Sequence, residues 1–512
     1  MRVKAMSKGT VPAVKCGHRW GAVATFSHQT DARFPTSIYA AELYGFKANV
    51  RLGAFVSNLL GGQDNSDIGD VEATGIIRHD IYFMTDYWKN PTTGKIEVIP
   101  DHYSTTWTQA GVNAFENAVL GAAKIDRYPT CGTQMYDLTN GRLGFNQNNG
   151  AMGLSNLVEF YAVVEAQNKI IQDKCARISA AGSFRNGLQG ETAILPTSYL
   201  GIRNSGAADL GASAPADTYY GEGYGSFSNL GRNFRSYFRS YTSSTRWWDS
   251  WNTRVPVISK ETANAYFISQ IQACINQKGW FRDFCHWHSC RNNNTMPSIL
   301  DFLTMMRTAV GNNFVWTCSN GEALEYLYAR QLANSVTGIE HNGKVIIAVD
   351  TLDLYKGSSA NFFPLDTPLP TIHTPLSIEV DLSNTELAGK SVVANTGKMR
   401  SIGNNKYIVE SRYTQREGFT TVEISEGQGG YYNESIPIAT KEIIGNTLKV
   451  TTDMPTNAVL YSVATGGYDY DSLPVSRSRK ASFDHTFQIN DGKDYRIGII
   501  SEFGMATLLN VF

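Results

Sequence analysis

The sequence predicts an α/β region followed by an all-β region, and three observations carry that prediction. Up to about residue 333, strand-like and helix-like segments alternate. That is the pattern of a parallel sheet with crossover helices, open or closed into a barrel. After about residue 336 helical periodicity vanishes, and short β-branched runs separated by turn signals replace it. Between them, residues 363–375 hold four of the chain's 16 prolines and read as a stiff connector.

Each element has a local reason. Residues 22–26 read as a short buried strand, followed by a loop. Residues 36–44 read as a helix, with Thr36 or Ser37 as the cap and Gly45 as the stop. Residues 46–51 return as a strand. Residues 57–112 are rich in Gly, Asn, Asp and Thr and read as an insertion, with a short strand near 76–84. Helices are expected over 113–124 and 154–177; the second has apolar residues at Leu157, Phe160, Tyr161, Val164, Ile170 and Ile171. Residues 205–232 read as loop and 261–278 as a further helix. A compact unit then follows: a strand at Phe284–His288, a helix over 297–309, a strand at Phe314–Thr317 and a helix over 320–333.

Beyond it, strands are expected at Val345–Val349, Ser377–Val380, Lys406–Glu410, Thr420–Ile424, Thr447–Thr451, Val459–Val463 and Arg496–Ile500. Asn342-Gly343, Asn404-Asn405 and Asp491-Gly492 supply the turns. The expected organisation is a first unit over 1–335 with the insertion at about 57–112, a strand and Pro-rich connector over 336–375, and a β-sandwich over 376–512.

Composition narrows the function. Lys and Arg number 45 against 46 Asp and Glu, a net charge of −1, so the basic excess of a nucleic-acid binder is missing. No apolar run is long enough for a membrane span, and the N-terminal residues lack a secretory h-region. The expected location is therefore a virion or the cytoplasm. The seven cysteines are odd in number and show no disulfide framework, so reduced, buried thiols are expected. Aromatic residues are abundant, with 26 Tyr and 24 Phe, which suits sheet cores first and stacking platforms for sugars second. No P-loop, dinucleotide fingerprint, GxSxG elbow or HExxH is present.

Four segments carry candidate chemistry. In the first, His28 and Asp31 follow a buried strand, where sites of parallel α/β folds lie; imidazole and carboxylate both suit a metal. In the second, Phe284–Cys290, strand alternation gives His286, His288 and Cys290 one face, able to bind metal or move protons. In the third, Arg185 precedes Gly187 and is placed to clamp a carboxylate. The fourth, Cys131–Asp137, has no local His to form a triad with Cys131.

These segments, in this order, resemble the polysaccharide deacetylase family, carbohydrate esterases with a distorted parallel β/α barrel. Ala24-Thr25-Phe26-Ser27-His28 runs like the family's opening Thr-Phe-Asp-Asp-Gly strand, and Tyr44-Gly45-Phe46-Lys47-Ala48 like its following Tyr-Gly and Lys-Ala segments. Cys285–Ser289, the helix at 297–309 and Phe314–Thr317 look like its closing Leu-His-Asp unit, and Ser183–Gly187 like its Phe-Arg-x-Pro motif without the proline. The likeness covers about residues 15–333.

The resemblance implies a divalent metal, zinc first, which polarises an acetamide and activates water beside an acid/base pair. Carried over, Asp31, Arg185, His286 and His288 are the catalytic candidates; His28, Asp31 and Asp137 are the metal candidates. The family's paired Asp become Ser27 and His28, or Gln29 and Thr30 if the frame slips by two, and its HxxxH has no counterpart near Gly132–Leu138, where Gln134 and Asp137 both stand as candidates for the barrel mouth. The metal is therefore expected to be lost. What remains is a non-catalytic or weakly catalytic deacetylase-like module for carbohydrate recognition or scaffolding, with a glycan and other protein subunits as partners. A bacteriophage tail or spike is one such assembly. The alternative is an active metal-dependent polysaccharide deacetylase or esterase.

Overall fold

The computed structural model describes residues 10–31, 48–53, 80–84, 87–89, 93, 95–98, 131–134, 178–182, 201–203, 260–276, 278–282 and 299–318. It also describes the helical residues 323, 326 and 330, and then 335–350 and 375–512, with gaps at 398, 414–418, 432–433, 463–472, 479–480 and 491–492. The expected helices at 36–44, 113–124 and 154–177, the loop at 205–232, the strand at 284–288 and most of the connector fall outside them.

The chain begins with β1 (Ala13–Cys16), a 3-10 turn (Arg19–Gly21) and β2 (Ala24–Asp31). Next come β3 (Ala48–Gly53), β4 (Asp80–Met84), the hairpin β5 (Tyr87–Lys89) and β6 (Ile96–Val98), β7 (Cys131–Gln134), β8 (Ile178–Gly182) and β9 (Gly201–Arg203). Helix α1 (Lys260–Asn276), β10 (Trp280–Arg282), α2 (Ile299–Val310) and β11 (Val315–Thr317) follow. The parallel sheet runs β10-β2-β3-β4-β7-β8-β9, with β11 as a further neighbour of β2. The short strand expected near 76–84 is β4, and it sits inside this sheet.

Two expectations are corrected here. The strand beginning at residue 22 does not give way to a loop after Phe26. It continues to Asp31 because β3 takes up a parallel ladder beside it, His28 opposite Ala48 and Asp31 opposite Arg51. Nor do the described residues form an α/β fold of the distorted parallel β/α barrel type. They are mostly strand, with two α-helices among them, and four of their five sheets are antiparallel. Among the described residues, the parallel path starts at β10 and ends at β9 without a pairing that closes it. Strand–helix alternation reports element type, and that local pattern is the same for open and closed sheets.

The helices end where their capping chemistry dictates. At the end of α1, Gly279 N donates to Cys274 O at 2.8 Å and Lys278 N to Ile275 O at 3.1 Å. This double bond is the Schellman arrangement, and it puts Lys278 at φ 51°, a position that glycine usually fills. Helix α2 stops at Gly311, at φ 55°, whose N–H reaches Arg307 O at 3.0 Å. A Gln272 amide to the Ala309 carbonyl ties the two helices together.

The antiparallel part begins with β12 (Ser335–His341) and β13 (Lys344–Asp350). It continues with β14 (Pro375–Asp381), β15 (Val392–Ala394), β16 (Met399–Gly403), β17 (Lys406–Tyr413) and β18 (Phe419–Glu426). Two four-stranded sheets result, β12-β13-β18-β15 and β1-β14-β17-β16. They bury alternate residues into one core: Val345, Ile347, Val349, Val422 and Ile424 from one, and Ile378, Val380, Met399 and Val409 from the other. Trp280, Phe314, Trp316 and Tyr326 join the same core. Two of the three expected turns are seen: Asn342 (φ 51°) with Gly343 (φ 71°), and Asn404 (φ 52°) with Asn405 (φ 59°), both have the left-handed pairs of a type I′ hairpin, and Asp491-Gly492 lies outside the described residues.

The last sheet contains β19 (Ala439–Ile444), β20 (Thr447–Ser462), β21 (Leu473–Arg477), β22 (Ser482–Gln488), β23 (Tyr495–Ile500) and β24 (Ala506–Asn510). It has a separate core of Leu448, Val450, Leu460, Phe487, Tyr495, Ile497 and Ile499. The runs expected as two strands at 447–451 and 459–463 are one strand, β20. Pro455 is tolerated inside it because the ladder with β22 shifts register between Thr451 and Thr456.

Candidate functional site

Of the sequence-predicted residues, His28 and Asp31 lie on β2. Asp137, Arg185, His286 and His288 lie outside the described residues. Gln134 closes β7, and Gly182 and Arg282 close β8 and β10. These strands are parallel, so their carboxyl ends share one edge of the sheet, the edge where ligands bind in open α/β sheets. Strand β10 is the direct neighbour of β2, with Arg282 opposite Ser27. Strands β3 and β4 separate β2 from β7, which puts them about 14 Å apart along the sheet.

A family-type metal needs its ligands to converge. Strand β2 offers one His and one Asp, three positions apart in a regular ladder. The other candidate ligand, Asp137, lies outside the described residues, so no catalytic step is derived through a metal here.

The fullest polar network among the described residues lies at the other end of β2, at the base of the sandwich. Arg19 forms an ion pair with Glu410, and its Nη1 also donates to Pro375 O at 2.9 Å. Ser377 Oγ donates to Glu410 Oε1 at 2.5 Å and accepts the Trp20 N–H at 2.8 Å. Tyr326 Oη donates to Gly17 O at 2.8 Å, and Arg330 reaches the same carbonyl at 3.2 Å. Ser377 and Tyr326 are fully buried, and Arg19 and Glu410 nearly so. Charge-assisted bonds of this kind are strong where water is excluded.

Electrostatics agree with a structural role. Burial, together with the positive charges of Arg330, Lys278 and Lys15, pushes the His18 imidazole down to about 3, so it is neutral at physiological pH. Burial raises the Cys16 thiol and the Tyr326 phenol, which keeps both protonated. Arg19 also lies over the Trp20 ring at 4.9 Å and the Tyr326 ring at 5.8 Å. Saturated and sealed, the Ser377–Glu410–Arg19 arrangement holds backbone in place and presents no nucleophile to solvent.

None of His18, Arg19, Tyr326, Ser377 or Glu410 stands out in the sequence. The pairings that tie residues 17–20 to the rest span more than 300 residues of chain, and no local spacing encodes them. The one local cue is the Arg19-Trp20-Gly21 string directly ahead of β2.

No protein-family model and no curated protein sequence matches the chain. Among solved structures, an engineered protein overlaps 95% of this chain and 92% of its own at 9% identity, with a TM-score of 0.32. A novel carbohydrate deacetylase, Agd3, overlaps 80% of this chain and 66% of its own at 11% identity, with a TM-score of 0.29. A glycoside hydrolase family 30 subfamily 8 xylanase from Clostridium acetobutylicum overlaps 80% and 97% at 11% identity, with a TM-score of 0.20. TM-scores and identities this low establish neither a shared fold nor a shared activity.

Proposed function

We propose that this chain is a non-catalytic or weakly catalytic deacetylase-like module that recognises carbohydrate or serves as a scaffold within a larger assembly of protein subunits, such as a phage tail or spike. The observation that carries the reading is β2. Where the resembling family has two adjacent Asp, this strand has Ser27 and His28, and it stays in a regular ladder through Asp31. The sequence of this strand thus lacks the paired carboxylates of that family, and a site that lacks its ligands does not keep the chemistry of its fold.

The test combines metal analysis with two functional assays on the full chain. Purified protein, dialysed against zinc, is expected to retain well under one equivalent. It is expected to co-sediment with one or more polysaccharides from an acetylated and deacetylated panel, and to release no acetate. Near-stoichiometric zinc that disappears in His28→Ala or in a His286→Ala/His288→Ala variant, together with acetate release, would replace this reading with an active deacetylase.

A further inference from the structure

The twelve residues from Thr10 to Gly21 touch three parts of the molecule in succession. Thr10 O accepts the Glu340 N–H of β12 at 3.0 Å. Pro12 and Val14 lie so close to Gly338 that a Cβ there would sit 2.8 Å from Pro12 Cγ and 3.1 Å from Val14 Cγ1. Strand β1 then pairs with the opposite sheet, Val14 against Val380 and Cys16 against Ile378. Gly17 N continues that ladder to Ser377 O at 2.8 Å. Arg19 and Trp20 enter the buried network on Glu410 and Ser377 described above. Arg400, itself held by Glu434 at 3.1 Å, donates to the carbonyls of Trp20 and Gly21 at 3.0 and 2.9 Å. Two residues later Val23 N binds Phe314 O at 2.9 Å, and β2 begins.

Two features show that this path is held under constraint. Trp20 sits at φ 53°, a left-handed conformation that costs an L-residue energy unless its surroundings enforce it. Its ring is edge-packed on Trp316 at 6.4 Å and on Phe503 at 4.8 Å. Gly21 at φ 68° lies where a Cβ would meet Ile408 Cγ1 at 2.7 Å.

We propose that residues 10–21 are a strap that fastens the first strand of the parallel sheet to both sheets of the sandwich, with the buried Arg19–Glu410 pair as its pin. Docked, the strap makes β2 and the sandwich open together; undocked, it frees the leading end of β2 and the outer edge of β14 at once. The inference stands on these contacts alone and does not depend on the proposed function.

Hydrogen–deuterium exchange followed by mass spectrometry on the full chain tests it. Arg19→Ala removes the pin, and Gly338→Val displaces Pro12 and Val14 from the other side. Lys15→Ala is the control, since it lies in β1 too but only breaks a solvent-accessible ion pair with Glu379 across the ladder. Arg19→Ala and Gly338→Val are each expected to speed exchange in peptides covering 10–21 and 22–31 together, by about tenfold or more, with 447–462 and 495–500 unchanged. Lys15→Ala is expected to change neither. Faster exchange confined to 10–21 would reduce β1 to an ordinary edge strand and overturn the strap. Uniformly faster exchange across every sheet would also overturn it, because the variants would then act through global stability.

Discussion

Arg19 and Glu410 are the residues on which the largest single effect is expected. Their side chains are about one-tenth and one-sixth exposed, and Ser377 depends on the same carboxylate. Removing one partner of a buried pair leaves the other charge uncompensated, so Arg19→Ala should lower the unfolding free energy in urea by about 3 kcal/mol. His18 gives a pH signature. Its folded value, about 3, lies below the unfolded value near 6.5, so between these the unfolded chain holds more protons. The stability it contributes is complete above about pH 6.5 and is lost as the pH falls towards 3, at no more than about 1.4 kcal/mol per unit. Urea titrations at pH 7, 5.5 and 4.5 should show this slope, and His18→Asn should flatten it. None of these residues was legible as a candidate. His28 and Asp31 were, because a His and a carboxylate after a strand invite a metal reading; the ladder with β3 that carries the strand through them was not legible.

At the scale of the element, local chemistry was read well and partnership was not. Helix α2, β3, β11 and the strands at 344–350, 375–381, 406–413 and 419–426 lie where periodicity put them, give or take a few residues. The Asn-Gly and Asn-Asn turns adopt the backbone that their side chains favour. Strands such as β12, β19 and β22 carry too many polar or exposed residues to show a core-facing pattern, and each exists because a neighbour supplies its ladder. Lys278 offers a test of how far local conformation limits stability. Replacing it with Gly keeps both capping bonds of α1 and removes the penalty of a positive φ. Lys278→Gly should raise the midpoint of thermal unfolding, by a gain of up to about 1 kcal/mol.

Over the whole molecule, the two antiparallel cores are independent sets of residues, one shared with the parallel sheet and one not. All nine tryptophans precede residue 335, so fluorescence reports the first part of the chain. In the Arg19→Ala variant, the fluorescence transition in urea should move to lower concentration, while amide protection at Leu448, Leu460 and Ile497 should be retained. Coincident loss of both would show a single cooperative unit. The open-or-closed question for the parallel sheet could not be read from sequence for the same reason that the strap could not: both depend on pairings between distant segments.

Those distant pairings also set a timetable for biosynthesis. Arg19 binds the carbonyl of Pro375, 356 residues further along the chain. At roughly 5–20 residues per second of translation, the N-terminal strand waits about 20–70 s on the ribosome before its partner exists. Until then β1 has no ladder and the first core cannot close. A nascent chain arrested before residue 375 will present residues 13–17 without the strand they pair with, open to any protease or chaperone within reach; in the finished protein that backbone is held in the ladder with β14.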